Sequence, residues 1–439
     1  MGAQLDALLG QALPSGTKGL PTAAEGVALG QIQAQGLNVL NEDLPLPLAV
    51  IKQSALLHNA DWMKGFLDQR HMHLAPHGKT TMCPQLFELQ MQHGAWGITV
   101  ATVQQLKVCR RFGIGPVLMA NQLLGKDDIR YVAGELARDP SFEFYCLVDS
   151  NAGVARLEHQ LGDISAKLGK AVTLRVLVEL GLNGGRTGCR DIQQVLDVAT
   201  AIRSCQHLAL HGLECYEGGL VSNDAKADAQ KVDAFMQRLV EVFTACQQQG
   251  VFADPKRVLM TAGGSAYFDL VAKAFTGLPM DIVVPVIRSG CYLTHDSQFY
   301  RNLINNLEQR CVAESAPIQT PGLQSALEVW AYVQSVPEPG LAIINLGKRD
   351  ISHDIHLPVV EQWYRPGFTQ KPQVAPEGIK LTALNDQHGY LQVPAEVNLA
   401  VGDMVSLGIS HPCTTFDKWQ LLWLVDDNYQ VVSGLRTFF

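Results

Sequence analysis

The 439-residue sequence lacks an extended run of Lys and Arg, and its net charge is −8. A general nucleic-acid binder needs a basic face to neutralise phosphates, so we expect no nucleic-acid partner. No segment approaches the roughly 18 consecutive apolar residues of a membrane span, and we expect no membrane partner. The first 30 residues also lack the basic-then-apolar pattern of a signal peptide, which favours an unprocessed chain.

Closely spaced cysteines are missing as well. The ten cysteines are scattered, with no Cys-x-x-Cys pair and no short regular framework. That usage is not typical of a secreted disulfide scaffold and indicates reduced thiols. We therefore expect a cytoplasmic protein whose partners are small molecules.

Short apolar, β-branched runs alternate with amphipathic stretches from about residue 70 onward, and eight such runs can be counted. Parallel strands that are buried on both faces produce this pattern, and eight strand–helix repeats are typical of a (β/α)8 TIM barrel. The predicted strands are 71–76, 97–101, 116–120, 143–148, 173–179, 209–215, 257–261 and 282–287. Helical patterns between them include 127–138, 151–168 and 224–249.

The pattern changes after about residue 310 to short β-rich segments separated by Pro-Gly, His-Gly and Gly-Asp turn signals. These signals predict a second, mainly β domain. We expect an α/β chain with a barrel over 46–310 and a β domain over 311–439. The segment 1–45 is expected to pack with the β domain.

A lysine lies just past the first predicted strand, in Pro76-His77-Gly78-Lys79-Thr80. Barrel enzymes place their chemistry at this end of the strands. An amine there can lose its proton by desolvation and form a Schiff base with a carbonyl cofactor. Lys79 could instead be a solvated loop lysine.

Two glycine-containing loops follow the seventh and eighth predicted strands. They are Gly263-Gly264-Ser265 and Ser289-Gly290-Cys291-Tyr292. Glycines let backbone amides approach an anion, and barrels commonly bind phosphate at this pair of loops. A Gly-Gly-Ser sequence alone could be an ordinary turn.

Two further side chains are expected at the same end of the barrel, Arg186 after the fifth predicted strand and Tyr216 after the sixth. They would bring a guanidinium and a phenol to the site. A surface charge and a packed rim residue are the competing interpretations.

His411 and Cys413 form a His-x-Cys pair in the predicted β domain, after a strand-like segment. In an extended chain, residues i and i+2 point to the same side, so imidazole and sulfur could meet on one ion such as zinc. A packed cysteine beside a histidine is the alternative.

Together these motifs resemble the D-serine dehydratase and D-threonine aldolase family, which shares the alanine-racemase type of pyridoxal-phosphate fold. The resemblance covers roughly residues 45–439. It implies that Lys79 binds the carbonyl of pyridoxal 5'-phosphate and then acts as the base at the substrate Cα. It also implies cofactor binding by a set of other residues: His77, Arg186, Tyr216, Gly263, Gly264, Ser265, Ser289, Gly290, Cys291 and Tyr292.

The segment containing His411 and Cys413 resembles the metal site of the dehydratase branch, whereas the aldolase branch has a residue resembling Asp at the second position. The resemblance therefore implies Zn2+, with another divalent metal as an alternative. It also implies a homodimer that converts a small D-3-hydroxyamino acid to a 2-oxo acid and ammonia. The sequence does not distinguish D-serine, D-threonine and 3-hydroxy-D-aspartate.

Several other functions stay open. An aldolase would use the same lysine and release glycine and an aldehyde. A racemase would need a second base, and none can be located in the sequence. A non-catalytic carrier of the cofactor would resemble single-barrel proteins, against which the β domain argues. An unrelated barrel with a structural β domain is the last alternative.

Overall fold

The computed structural model describes residues 2–220, 222, 224–316 and 318–439. Eight parallel strands form one sheet, in the spatial order His73–Leu74, Val283–Ile287, Val258–Ala262, Leu208–Cys215, Leu174–Leu180, Phe144–Val148, Val117–Gln122 and Ile98–Val100. Backbone hydrogen bonds from Trp96 N–H to the Leu74 carbonyl (2.7 Å) and from Thr99 N–H to the Pro76 carbonyl (3.0 Å) link its two ends. The sheet is therefore closed into a barrel. Numbered after β1 (Leu48–Lys52), its strands are β2 (His73–Leu74), β3 (Ile98–Val100), β4 (Val117–Gln122), β5 (Phe144–Val148), β6 (Leu174–Leu180), β7 (Leu208–Cys215), β8 (Val258–Ala262) and β9 (Val283–Ile287).

Alternation along the strands divides the barrel core into two layers. Tyr145 and Leu147 of β5 pack inside the barrel with residues of other strands, whereas Phe144, Cys146 and Val148 belong to the larger core outside it. Each strand thus buries both of its faces, which is why the sequence shows continuous apolar runs.

The helices of the barrel begin where the sequence offers caps. The side chain of Ser150 accepts a hydrogen bond from the Gly153 amide at the start of α6 (Asn151–Leu168), and Asp191 does the same for Gln194 at the start of α7 (Ile192–Arg203). Such caps satisfy amides that have no partner within the helix. The helices are α1 (Gly2–Leu9), α2 (Gln53–Asp68), α3 (Pro84–Gln92), α4 (Val103–Arg111), α5 (Lys126–Arg138), α6 (Asn151–Leu168), α7 (Ile192–Arg203), α8 (Ala225–Gln248), α9 (Phe268–Thr276), α10 (Phe299–Ala313) and α11 (Cys413–Phe416).

The second sheet is mostly antiparallel, with β13-β12-β16-β10-β1-β17-β18 as its main order and β11, β15 and β14 extending from β10. Its remaining strands are β10 (Leu327–Glu338), β11 (Leu341–Ile344), β12 (Val359–Tyr364), β13 (Gln373–Val374), β14 (Lys380–Leu384), β15 (Gly389–Gln392), β16 (Met404–Gly408), β17 (Leu421–Val425) and β18 (Val431–Arg436). The predicted architecture, a (β/α)8 barrel followed by a mainly β domain, is confirmed.

The N-terminal residues lie against the second sheet. Trp423 Nε1 donates to the Gly19 carbonyl (2.9 Å), and the Val431 amide donates to the Leu37 carbonyl (2.8 Å). Strand β1 falls within the predicted barrel segment 46–310, yet it pairs with β10 and β17 of the second sheet. The domain boundaries at 45 and 310 stay predictions.

Two further observations bear on the expectations from composition. All ten cysteines are free, as expected of a chain without a disulfide framework. Among the described residues, no helix combines the length and apolarity that crossing a bilayer requires.

Candidate active site

The loop that carries Lys79 lies at the C-terminal end of the barrel strands, here called the barrel mouth. Lys79 is exposed and belongs to a 3-10 helix, Gly78–Thr80, directly after β2. The hydroxyl of its neighbour Thr80 lies 3.5 Å from the sulfur of Cys413, which starts α11 in the β domain. The barrel mouth and the β domain therefore meet at the lysine loop.

His77 brings a neutral imidazole next to this lysine. Its Nδ1 is buried and has no hydrogen-bond partner within the described structure. Burial lowers the pKa of His77 well below its ordinary value, and the positive charges of Lys79, Arg288 and Arg186 lower it further. A buried nitrogen without a partner is costly unless a ligand or water satisfies it.

The two glycine-containing loops are held together by hydrogen bonds. The hydroxyl of Ser289 donates to the Gly264 carbonyl (2.9 Å), and the Cys291 amide donates to the hydroxyl of Ser265 (3.4 Å). The loops after β8 and β9 therefore form one continuous surface at the barrel mouth.

Glycine is required where these loops approach their neighbours. A Cβ on Gly263 would lie 2.6 Å from the backbone nitrogen of Arg288. A Cβ on Gly290 would lie 2.7 Å from both the His77 carbonyl and the Thr80 hydroxyl. Gly290 thus packs directly on the lysine loop, and three separate chain segments converge there.

Arg186 and Tyr216 also meet at the barrel mouth, where the guanidinium carbon lies 4.9 Å from the centre of the phenol ring. Burial, and then the negative charge of Glu217, raise the pKa of Tyr216. Tyr292 has a different environment, because it packs in the large core and its hydroxyl accepts a hydrogen bond from Gln90 Nε2 (3.4 Å). The roles of all three residues stay predictions.

A buried ion pair at the barrel mouth was not predicted from the sequence. Arg288 forms a salt bridge with Glu214 at the end of β7, and it also donates to the Thr261 hydroxyl (2.9 Å) and the Cys215 carbonyl (3.0 Å). Burial raises the pKa of Glu214 to about 7, although the charge of Arg288 acts against the shift. These contacts fix the Arg288 side chain next to the loop that contains Gly290.

Glu217 holds the loop that contains Gly264 by a hydrogen bond. One of its carboxylate oxygens accepts a hydrogen bond from the Gly264 amide (2.7 Å). Burial raises its pKa, although hydrogen bonds from backbone amides oppose the rise. The second carboxylate oxygens of Glu214 and Glu217 are buried without a partner among the described residues. Strand periodicity could not show these contacts, because it places a residue but not its partners.

His411 and Cys413 come together by a different geometry from the one expected. The segment is not extended, because Pro412 has helical angles (φ −57°, ψ −44°) and Cys413 begins α11. The two side chains nevertheless hydrogen-bond. The helical turn, rather than strand alternation, brings them together.

Asp354 orients the ring of His411, and no motif in the sequence indicates this residue. Its Oδ2 lies 2.6 Å from His411 Nδ1, and its Oδ1 accepts from the Thr414 hydroxyl (2.8 Å). Burial lowers the pKa of His411, but contacts with Cys413 and Asp354 outweigh it and raise this pKa to about 9. Because Nδ1 faces Asp354, Nε2 is the nitrogen that can bind a ligand.

The contacts of Cys413 favour the charged form of its thiol. A hydrogen-bonding contact with Cys291 lowers its pKa well below the ordinary value, burial acts in the opposite direction, and His411 lowers it further. A thiolate and an imidazole are the donors that zinc accepts. Within the described ranges, no group of three or more His, Cys, Asp or Glu side chains is arranged as a metal cage.

Two family models match the chain. The model described as "Alanine racemase, N-terminal domain" matches residues 51–280, and the one described as "Putative serine dehydratase domain" matches residues 326–425. The first match spans seven of the eight barrel strands, from β2 to β8, and the second spans most of the second sheet and includes His411 and Cys413. A D-threonine aldolase from Arthrobacter sp. is 25% identical over 386 residues, 87% of this chain and 89% of that protein.

Two solved structures have a similar fold. D-threonine aldolase from Filomicrobium marinum has a TM-score of 0.72 at 21% identity and covers 92% of this chain and 96% of its own. D-threo-3-hydroxyaspartate dehydratase from Delftia sp. HT23 has a TM-score of 0.66 at 21% identity and covers 91% of this chain and 98% of its own. Both similarities extend over the barrel and the β domain together.

Proposed function

This chain belongs to the alanine racemase N-terminal domain family, and from that premise we propose that it is a pyridoxal-phosphate- and zinc-dependent dehydratase of small D-3-hydroxyamino acids. One observation carries the proposal. The lysine loop, the glycine-containing loops and the His411–Cys413 pair meet at one point, where the Cys413 sulfur lies 3.5 Å from Thr80 and 3.8 Å from Cys291.

The residues at the barrel mouth fit pyridoxal 5'-phosphate. Amides of the two glycine-containing loops other than those of Gly264 and Cys291, which already donate within the protein, would hold the phosphate. Lys79 would bind the carbonyl, and His77 has a buried nitrogen without a partner among the described residues. Arg186 and Tyr216 would lie beside the ring. When bound, this cofactor supplies an electron-withdrawing ring that makes the substrate Cα proton acidic.

Replacing Gly290 with alanine is expected to weaken cofactor binding by about 10- to 100-fold. The new methyl group would clash with the His77 carbonyl and the Thr80 hydroxyl, and overpacking of this kind costs about 1–3 kcal/mol. Titration of the apoprotein with the cofactor, followed by absorbance, measures the effect. Gly134→Ala is the control, because a Cβ there meets nothing within 4 Å, and unchanged binding by Gly290→Ala would contradict the assignment.

Lys79 is the group that would move the proton. Its Nζ would take the proton from the substrate Cα on one face of the cofactor. The positive charge of Arg186, which acts on His77, makes the barrel mouth attractive to the carboxylate of an amino acid.

His411 and Cys413 would hold the zinc ion, since an imidazole that has given up its Nε2 proton to solvent and a thiolate form a suitable donor set. When bound, zinc acts as a Lewis acid on the substrate hydroxyl, which is otherwise a poor leaving group. Loss of water from the substrate leaves a 2-aminoalkenoate, and this takes up water to give a 2-oxo acid and ammonia. D-Threonine thus yields 2-oxobutanoate and ammonia.

Asp354 would act as a positioning residue for this metal. Asp354→Ala is expected to weaken zinc binding by about 10- to 100-fold, because it removes the carboxylate that orients the His411 ring. Competition with a chromophoric chelator measures the affinity, and Asp354→Asn should restore part of it. The exposed Asp386, paired with Arg349 at 3.5 Å, provides the control Asp386→Ala; equal zinc affinities in both alanine variants would rule out this role.

Retro-aldol cleavage is the second candidate, because the Arthrobacter relative is a D-threonine aldolase. It would use the same lysine and break the Cα–Cβ bond, giving glycine and an aldehyde. Cys413 favours dehydration, since the resemblance places an Asp at this position in the aldolase branch.

A panel of D- and L-3-hydroxyamino acids tests the proposed function. The zinc-loaded holoenzyme should release ammonia and a 2-oxo acid from at least one D-enantiomer, and none from the L-enantiomers. Turnover of L-enantiomers alone, or of no member of the panel, would overturn the proposal.

A further inference from the structure

The thiol of Cys291 has no part in the proposed function, which uses this residue for its backbone beside the phosphate loops. Its sulfur lies 3.8 Å from that of Cys413 and 4.0 Å from the Thr80 hydroxyl. Cys291 is 5% exposed, and it reaches Cys413 although the two are 122 residues apart in the chain. The barrel mouth and the β domain therefore each place one sulfur at the same point.

The separation of the two sulfurs matches a shared metal ion. Two thiolates bound to zinc at about 2.3 Å in a tetrahedral arrangement lie about 3.8 Å apart, whereas bonded disulfide sulfurs lie at about 2.05 Å. From this geometry we propose that Cys291 is a third protein ligand of the metal, beside His411 and Cys413. The inference rests on the proposed function for the metal itself, and it adds a ligand that the His-x-Cys motif does not include.

Two hydroxyl groups lie beside the sulfur of Cys291. Contact with Cys413 and burial raise the pKa of this thiol well above its ordinary value, and hydrogen bonds with Tyr300 and Thr80 oppose the rise. Donors of this kind stabilise the charged form of a metal ligand and orient it. Tyr300 lies in α10, so the barrel side of the site carries its own supporting residue.

The charges of the proposed donor set are compatible with zinc. A zinc ion with two thiolates and one imidazole has no net charge, and the Asp354 carboxylate beside His411 adds one negative charge at the edge of the site. One His and two Cys ligands leave the fourth tetrahedral position free for the substrate hydroxyl, as in catalytic zinc sites.

His411 would complete the set by a turn of its ring. The three side chains do not form a finished cage in the described structure, although the two sulfurs already have the required spacing. The His411 ring hydrogen-bonds to Cys413, with its Nδ1 towards Asp354. Metal binding would turn Nε2 onto the ion that the sulfurs share.

X-ray absorption at the zinc edge of the wild-type holoenzyme tests the proposal without any substitution. We expect two sulfur ligands at about 2.3 Å and one nitrogen ligand. A first shell with a single sulfur would overturn the assignment of Cys291.

Substitution provides the second test. Cys291→Ser should leave one sulfur in the zinc shell and weaken zinc binding by more than about 100-fold, beyond the loss expected for a supporting residue. Cys205→Ser, at a half-buried free cysteine after α7, is the matched control and should bind zinc as the wild type does. Unchanged zinc affinity in Cys291→Ser would contradict the proposal.

The experiments distinguish a failure of the Cys291 assignment from a failure of the proposed dehydratase function. A two-sulfur zinc site in a protein without activity on any 3-hydroxyamino acid would leave the ligand assignment intact and remove the dehydratase. A one-sulfur zinc site in an active dehydratase would remove the assignment of Cys291 and leave the dehydratase proposal intact.

Discussion

Lys79→Ala is expected to lower the rate of ammonia release from a D-3-hydroxyamino acid by about 10⁴-fold or more. The variant loses the amine that binds the cofactor carbonyl and the base that takes the Cα proton, and a positioned base alone contributes about 10²- to 10⁴-fold. Absorbance of the bound cofactor should shift at the same time, because its carbonyl is no longer attached to the protein. Steady-state ammonia assays and the visible spectrum measure both effects.

Lys170→Ala is the control for that experiment. Lys170 is also exposed, and its Nζ contacts only the Ala137 carbonyl at 3.4 Å among the hydrogen bonds described. We expect wild-type activity and spectrum in this variant. An active Lys79→Ala enzyme with an unshifted spectrum would show that another residue binds the cofactor.

Removal of the metal is expected to have the second large effect. Lewis-acid assistance to a leaving hydroxyl is worth several kcal/mol, so chelation should lower the elimination rate by about 10²- to 10⁴-fold. Cys413→Ala should reproduce this loss, since it removes a proposed ligand that lies at the contact with Thr80. Rates measured before and after chelation, and again after addition of zinc, determine the size of the effect.

The cofactor provides the internal control. Its absorbance should stay unchanged on chelation, because the lysine and glycine-containing loops hold it, and Cys205→Ala should retain full activity. Elimination at the original rate in chelated protein that still binds the cofactor would remove the metal from the mechanism.

The barrel could be predicted because each of its strands has a local signal. The run at 143–148 became β5 (Phe144–Val148), and its burial on both faces explains the uninterrupted apolar pattern. The helix predicted over 151–168 agrees with α6. Here the periodicity of a single segment was sufficient.

Strand β1 was missed because its pairing is a property of the whole chain. Leu48–Lys52 pairs with β10 and β17, which lie more than 270 residues further along. No local pattern indicates which sheet such a short apolar run joins.

The candidate site also combines features that the sequence predicts with contacts that only the fold reveals. Lys79 and the glycine-containing loops follow strand ends in the sequence, so the barrel topology alone places them together. The contacts of Asp354 with His411, of Glu214 with Arg288 and of Cys291 with Cys413 join segments that are 57, 74 and 122 residues apart. Only the folded chain reveals these pairs, and they provide the charges and ligands that a motif does not specify.

A complete product balance from D-threonine tests the central claim most directly. The zinc-loaded holoenzyme should convert D-threonine to equal amounts of 2-oxobutanoate and ammonia, without glycine. Equal amounts of glycine and acetaldehyde, without 2-oxobutanoate, would contradict dehydration and make the protein an aldolase.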